Sequence, residues 1–345
     1  MNKKRKYMII IFGLIFLLVL YSGIITIRLK EAEKLLKEEQ ERYTKNHLEL
    51  EEITEHVKNV RDTEYTNCIN EKYQDKDNTE NLNKKIEELN NYFNGNYRVS
   101  VYYEDINTGF RYKYRENEVY YGASLIKLLE AMYIYDGAIN GNINILDELV
   151  YTPRHKNDYS LGMDKHQYGD KLSIKLLVDY MIRYSDNGAH SMIYEYIGRD
   201  NLIKYGEEIG AEYTLYGNDS YGSQSVRDTN IYLKHAYEII NSNTEYGSML
   251  KESMMNTYYN SLYLTSEEDN NVAHKYGWYE VNYHDIGIVY DDIGIYNISV
   301  LTTYGMNDYE RIVKDIHRKI NELHNTFYEE RKIRCKNEIY DNNIW

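Results

Sequence analysis

Ser124 and Lys127 stand three residues apart in Ser124-Leu125-Ile126-Lys127, directly after Tyr121-Gly122-Ala123. On a helix that spacing puts both side chains on one face, so the amine can reach the hydroxyl. A serine is a weak nucleophile until a neighbour takes its proton, and a partly desolvated lysine can do so. A serine at a helix start also turns its amide outward, toward a developing oxyanion. Alone, the pattern arises by chance about once in a chain of this length. A second copy, Ser248-Met249-Leu250-Lys251, has no supporting context and reads as an ordinary helix end.

Two further segments change its weight. Ser185-Asp186-Asn187 follows the apolar helix Leu176 to Ile182. By itself it is a helix-ending turn of Ser, Asp and Asn. His274-Lys275-Tyr276-Gly277-Trp278 lies on a late strand, followed by His284-Asp285-Ile286-Gly287. By itself it is an edge strand with a protective lysine. Ser-x-x-Lys, then Ser-Asp-Asn, then Lys-x-Gly is the order of penicillin-recognising serine enzymes, and the chain resembles the class A β-lactamase family over about residues 86–330.

The resemblance implies an α+β fold: an antiparallel sheet flanked by helices, plus an all-helical subdomain. It implies that Ser124 is the acylated nucleophile and Lys127 its proton partner. Ser185 would pass a proton to the leaving nitrogen. Lys275 would add positive charge near a substrate carboxylate. Asn187, Tyr276, Gly277 and Trp278 would contact substrate, with the amides of Ser124 and Trp278 as the oxyanion hole. The implied substrates are β-lactams or peptidoglycan stem peptides.

Two departures limit that expectation. The family places Thr or Ser where this chain has Tyr276, so the usual carboxylate-binding role is not assigned to it. The family's deacylating glutamate, in a Glu-x-x-Leu-Asn pattern, is missing. Thr214-Leu215-Tyr216-Gly217-Asn218-Asp219-Ser220 occupies the approximate place. Asp219 is the nearest carboxylate in register, but it is one methylene shorter than Glu, and about 1 Å of misplacement can cost on the order of 10²-fold. A turn aspartate is the better reading of it. Glu207, Glu208 and Glu212 are weaker candidates. Three functions follow: a class A-type β-lactamase with slow deacylation, a D-alanyl-D-alanine carboxypeptidase or related penicillin-binding enzyme, and a sensing module without turnover.

Positioning these residues requires a particular set of elements. Residues 97–103 and 110–114 read as strands of a hairpin, closed by the turn Asp105 to Gly109 and preceded by a short helix over 86–93. A helical stretch runs from about Ser124 to Ile240. Strands return at 272–278, 286–290 and 296–303. Tyr309, Ile312, Val313, Ile316, Ile320, Leu323 and Phe327 then mark one face of a final helix. Distant strands completing one sheet around inserted helices fit the α+β expectation.

The N-terminus differs. Lys3, Lys4, Arg5 and Lys6 precede an uncharged apolar run from Tyr7 to Ile27. It is long enough to cross a bilayer core of about 30 Å. The basic cluster predicts a cytoplasmic N-terminus (residues 1–6) and a single span in the cell membrane, with the catalytic domain outside. A cleaved signal peptide fits less well, because Ser22-Gly23-Ile24 is a poor cleavage site. Residues 28–84 read as a helical stalk and polar linker, the linker over 61–84. Leu29, Leu36, Tyr43, Leu50 and Val57 recur every seven residues, which suits either a weak homo-oligomeric coiled coil over 29–60 or a solvated spacer. The catalytic domain is expected over 85–331, with a tail at 332–345.

Composition excludes other classes. The 345 residues carry 41 Lys and Arg against 55 Asp and Glu, a net charge of −14 that disfavours nucleic acid as a partner. His155, His166, His190, His274 and His284 lack the spacing of a zinc site, so no metal is expected, and no cofactor. Tyrosine is anomalous at 41 residues against 5 Phe. The family's terminal helices pack together, which would bring Cys68 near Cys335. A disulfide and two free thiols both remain open.

Overall fold

The computed structural model describes residues 3–215, 217, 219–259 and 271–341. Its described residues fall into two compact units, divided at Cys68 and at Ile339.

In the first unit, helix α1 (Lys3–Ile69) runs without a break and buries no residue. Its first part is long and apolar enough to cross a membrane. The heptad positions Leu29, Leu36, Tyr43, Leu50 and Val57 are all exposed.

The second unit holds a five-stranded antiparallel sheet. Its strands are β1 (Val99–Asp105), β2 (Arg111–Tyr114), β3 (Val272–Tyr279), β4 (Asn282–Tyr290) and β5 (Ile295–Thr302). The order across the sheet is β2-β1-β5-β4-β3. The opening hairpin therefore joins the late strands through β1 and β5, with Val101 opposite Val300.

Period-two alternation divides the sheet between two cores. On one face Val99, Val101 and Tyr103 of β1 meet α2 (Glu80–Phe93) and α9 (Met306–Lys336). Tyr309, Val313, Ile316, Ile320, Leu323 and Phe327 of α9 are buried there, as their spacing predicts. On the other face Tyr102, Ile286, Ile288 and Leu301 pack on the helical subdomain. Its helices are α3 (Ile126–Ile139), α4 (Ile174–Arg183), α5 (Asn187–Ile197), α6 (Arg199–Glu208), α7 (Val226–Ile240) and α8 (Glu245–Met255).

The linker expected over 61–84 is not one. Residues 61–69 continue α1, and 80–84 begin α2, capped by the Thr79 side chain. Between them Asp77 is buried against Arg331, with Nη2 2.7 Å from Oδ2. Arg331 also donates to the carbonyls of Ile69 and Glu71. Burial pushes the Asp77 carboxyl up, but the Arg331 guanidinium and the Gln74 amide outweigh it and hold it low. Composition marks this segment as solvated, and long-range pairing folds it. Cys68 and Cys335 form a disulfide with Cα atoms 5.9 Å apart. The compact unit thus begins before residue 85 and extends past 331.

Candidate active site

Ser124 sits in a short 3-10 turn (Ala123–Leu125) that leads into α3. Lys127, one turn on, is fully buried with Nζ 3.0 Å from Ser124 Oγ. The same amine donates to Ser185 O and Asn187 Oδ1, each at 2.6 Å. Burial pulls the Lys127 pKa down to about 7, against the opposing pull of Glu130 and Asp186.

The Ser-Asp-Asn segment reaches the site because Asp186 caps α5. Its Oδ1 accepts from the Ala189 amide at 2.8 Å, and Oδ2 accepts from the amides of Gly162 and Met163. Ser185 then projects between two lysines, with Oγ 3.4 Å from Lys127 Nζ and 2.9 Å from Lys275 Nζ. Asn187 Nδ2 donates to Asp158 O at 2.9 Å.

Strand β3 closes the other wall. A Cβ added at Gly277 would lie 3.1 Å from both Gly122 O and Ser124 N, so a larger residue would push the strand and the Ser124 turn a few tenths of an ångström apart. On β4, His284 Nε2 donates to Tyr121 O and its Nδ1 accepts from the Thr302 amide. Burial lowers its pKa to about 4, so the ring is a neutral brace for the segment before Ser124. Ala123, Tyr159 and Ser185 all hold positive φ around the cleft, at 46°, 59° and 53°. Such backbones cost about 1–3 kcal/mol each and persist where packing over-determines them.

Ser124, Ser185, Asn187, Tyr276 and Trp278 line one cleft of about 320 Å³, above Lys127 and Lys275. Lys275 is more enclosed than expected, and Asp219 takes the turn position preferred for it. Lys275 is not part of the cleft lining but lies directly behind Ser185, which is. It is fully buried, bonded to Ser185 Oγ and to Tyr276 O at 2.6 Å, and burial followed by the nearby Lys127 drives its pKa well down. Asp219 serves a turn: Oδ1 accepts from the amides of Tyr221 and Gly222, the residue is exposed, and it is not part of the cleft lining. Tyr216 and Asn218 of that segment lie outside the described residues.

Tyr276 turns its ring toward Lys275 Nζ, 4.2 Å away. Its hydroxyl is buried, with Ser185 close by but no hydrogen bond of normal geometry among the described residues.

A further layer escaped the sequence reading. Glu130 Oε2 bonds His190 Nδ1 at 2.9 Å, and His190 Nε2 bonds Ser220 Oγ at 3.1 Å. Tyr221 lies tilted against His190 at 4.7 Å between centroids, and Lys127 Nζ is 5.7 Å from the centre of its ring. The available signal was helical spacing: Glu130 follows Lys127 by three residues and His190 follows Asn187 by three, so each shares a face with a motif residue. The other prominent histidines are also paired, His274 to Asp285 and His155 to Glu195. No group of three or more His, Cys, Asp or Glu is arranged for a metal among the described residues.

A sheet completed by distant strands, with the serine and lysine at the head of a helix between the two layers, defines the class of penicillin-recognising serine hydrolases. A family model described as the beta-lactamase enzyme family matches residues 81–323. The chain belongs to that family. The structure of PBP-A is similar at 20% identity and TM-score 0.62, covering 71% of this chain and 96% of that one. A PBP-A mutant held as its acyl-enzyme complex with penicillin G aligns at 20% identity and TM-score 0.63, with the same coverage. The TLA-1 extended-spectrum β-lactamase aligns at 19% identity and TM-score 0.64, covering 71% and 99%. These likenesses concern the fold. No curated protein matches the chain significantly.

Proposed function

We propose that the protein is a membrane-anchored serine acyl-hydrolase, acylated at Ser124 by β-lactams or D-Ala-D-Ala-like amides and slow to release the acyl group. One observation carries this reading. The buried Lys127 amine spends two hydrogens on Ser185 O and Asn187 Oδ1, which leaves its lone pair toward Ser124 Oγ, 3.0 Å away. With a pKa near 7 it is poised to take that proton near neutral pH.

In this reading Ser124 Oγ attacks the carbonyl carbon as its proton moves to Lys127. The amides of Ser124 and Trp278 stabilise the oxyanion. The amide C–N bond then breaks, and the leaving nitrogen takes a proton through Ser185, which bridges Lys127 and Lys275. Asn187 orients the substrate amide. Slow release is supported by the carboxylates nearby. Asp186 is spent on backbone amides and Glu130 bonds His190 through Oε2, its Oε1 being buried without a partner; neither carboxylate is hydrogen-bonded to Ser124 or Lys127 among the described residues.

Fluorescent-penicillin labelling followed by a deacylation time course tests the proposal. Labelling that is lost in Ser124→Ala and decays slowly is the expected result. Fast decay makes the protein an efficient β-lactamase. No labelling removes the acyl-enzyme reading. The slow-release geometry also suits a D-alanyl-D-alanine carboxypeptidase, which peptide release from a muropeptide would reveal. The apolar helix supports anchoring, with the enzyme domain outside the cell. Carbonate extraction of membranes and protease accessibility of intact cells check both points.

A further inference from the structure

We propose that Glu130, held by His190, is a positioning residue that supplies the counter-charge for Lys127. It steadies the ammonium that forms as Lys127 takes the Ser124 proton. This rests on Lys127 as the base of that reaction, and it adds a residue that stands outside the three motifs.

Burial supplies the first argument. Glu130 is fully buried, and His190 is only 1% exposed. A carboxylate accepts hydrogen bonds and donates none, so the 2.9 Å contact with Glu130 Oε2 puts a hydrogen on His190 Nδ1. In the neutral ring Nε2 then accepts from Ser220 Oγ, 3.1 Å away. Glu130 Oε1 has no hydrogen-bond partner among the described residues. One ring N–H is little compensation for a carboxylate taken out of water, and a nearby cation supplies the rest.

Placement supplies the second argument. Glu130 follows Lys127 by one turn of α3 on the same face, where Cβ atoms lie about 5–6 Å apart. The other groups facing the Lys127 amine are Asp186 from the turn before α5, Lys275 from β3 and the Tyr221 ring, 5.7 Å from Nζ. The Asp186 carboxylate already accepts from three backbone amides, those of Ala189, Gly162 and Met163. Glu130 is therefore the less compensated of the two anions. Burial lowers the Lys127 pKa to about 7, and of the two opposing pulls that of Glu130 is the larger.

Removing this charge has two opposed effects. The amine stays unprotonated to lower pH, and it becomes a weaker base. The acylation profiles of the two proteins should then cross, whereas a packing defect would lower the rate at every pH.

Glu130→Gln keeps the size and an acceptor oxygen for His190 but removes the charge. The full chain in lipid nanodiscs is compared with the wild type in two measurements. Lysine 15Nζ NMR follows the protonation of Lys127 directly, its line assigned by loss in Lys127→Ala. Intact mass follows acylation by benzylpenicillin between about pH 5 and about pH 9. In Glu130→Gln the Lys127 midpoint should fall by about 1–2 pH units. Acylation should be about threefold to tenfold slower on the alkaline plateau and faster by about the same factor near pH 5. Glu130→Asp keeps the charge and should lower the midpoint less. A midpoint that stays or rises in Glu130→Gln overturns the proposal, as does a fall in Glu130→Asp of the same size as in Glu130→Gln. So does His190→Asn, which leaves the charge in place, if it lowers the midpoint as far as Glu130→Gln. If benzylpenicillin acylates neither protein but the midpoint still falls in Glu130→Gln, the acyl-enzyme reading fails and the role of Glu130 at Lys127 stands.

Discussion

At Ser124 the lysine three residues on turns back to the hydroxyl, 3.0 Å away. At Ser248 the same spacing sends Lys251 to the ring of Tyr290, with Nζ 4.0 Å from its centroid. Ser248 is exposed in the first turn of α8, and its hydroxyl donates to Thr244 O at the start of the same helix. Both serines begin helices and both lysines sit at i+3. The difference lies in what surrounds them. At the first site the amine is enclosed by the turn before α5, by α5 and by β3, which supply Ser185, Asn187 and Lys275 in that order. At the second the lysine lies along the surface of the fold. Four residues set a distance, and burial sets what the amine at that distance can do.

The comparison can be broken in several ways, the largest first. Ser124→Ala should abolish acylation, while Ser248→Ala leaves it unchanged; intact mass after incubation with penicillin reads both. Labelling at Ser248 would reverse the assignment. Lys127→Ala should slow acylation by about 10²–10⁴-fold, and Lys251→Ala should leave it unaltered. The pH profile should sharpen the contrast. In the proposed reaction Lys127 works as a neutral base, so its protonated form would be inactive. The second-order acylation rate constant should fall as pH drops through about 7, and should level above it. A plateau extending unchanged down to pH 5 would remove Lys127 as the base. The smallest effect belongs to the second pair. Lys251→Ala should cost about 0.5–1 kcal/mol of stability through the lost contact with Tyr290, measured by urea unfolding.

Much of this arrangement was legible in the residues. Period-two strands placed Val99, Val101 and Tyr103 on one face, and the 3.6-residue stripe from Tyr309 to Phe327 found its core. Ser124, Lys127, Ser185, Asn187 and Lys275 converge as their motifs imply, because short signals fall at the ends of elements that the fold brings together. What stayed hidden depends on pairing across long separations. Nothing local to residues 70–79 announces that Arg331 will bury Asp77. Nothing in the third motif shows that the Lys275 amine will bond Ser185 Oγ and Tyr276 O. The Glu130–His190 bond joins two helices, and neither residue belongs to a motif.

The Cys68–Cys335 bond has a topological consequence. It joins positions 267 residues apart, near the entrance and exit of the sheet-bearing unit, so that unit is covalently a ring. A single cut in the backbone anywhere between the two cysteines opens the ring without dividing it. Such a nicked protein would travel as one chain on a gel until a reductant was added. Only a cut outside the ring, along α1, would part the rest of α1 from the sheet-bearing unit in one step.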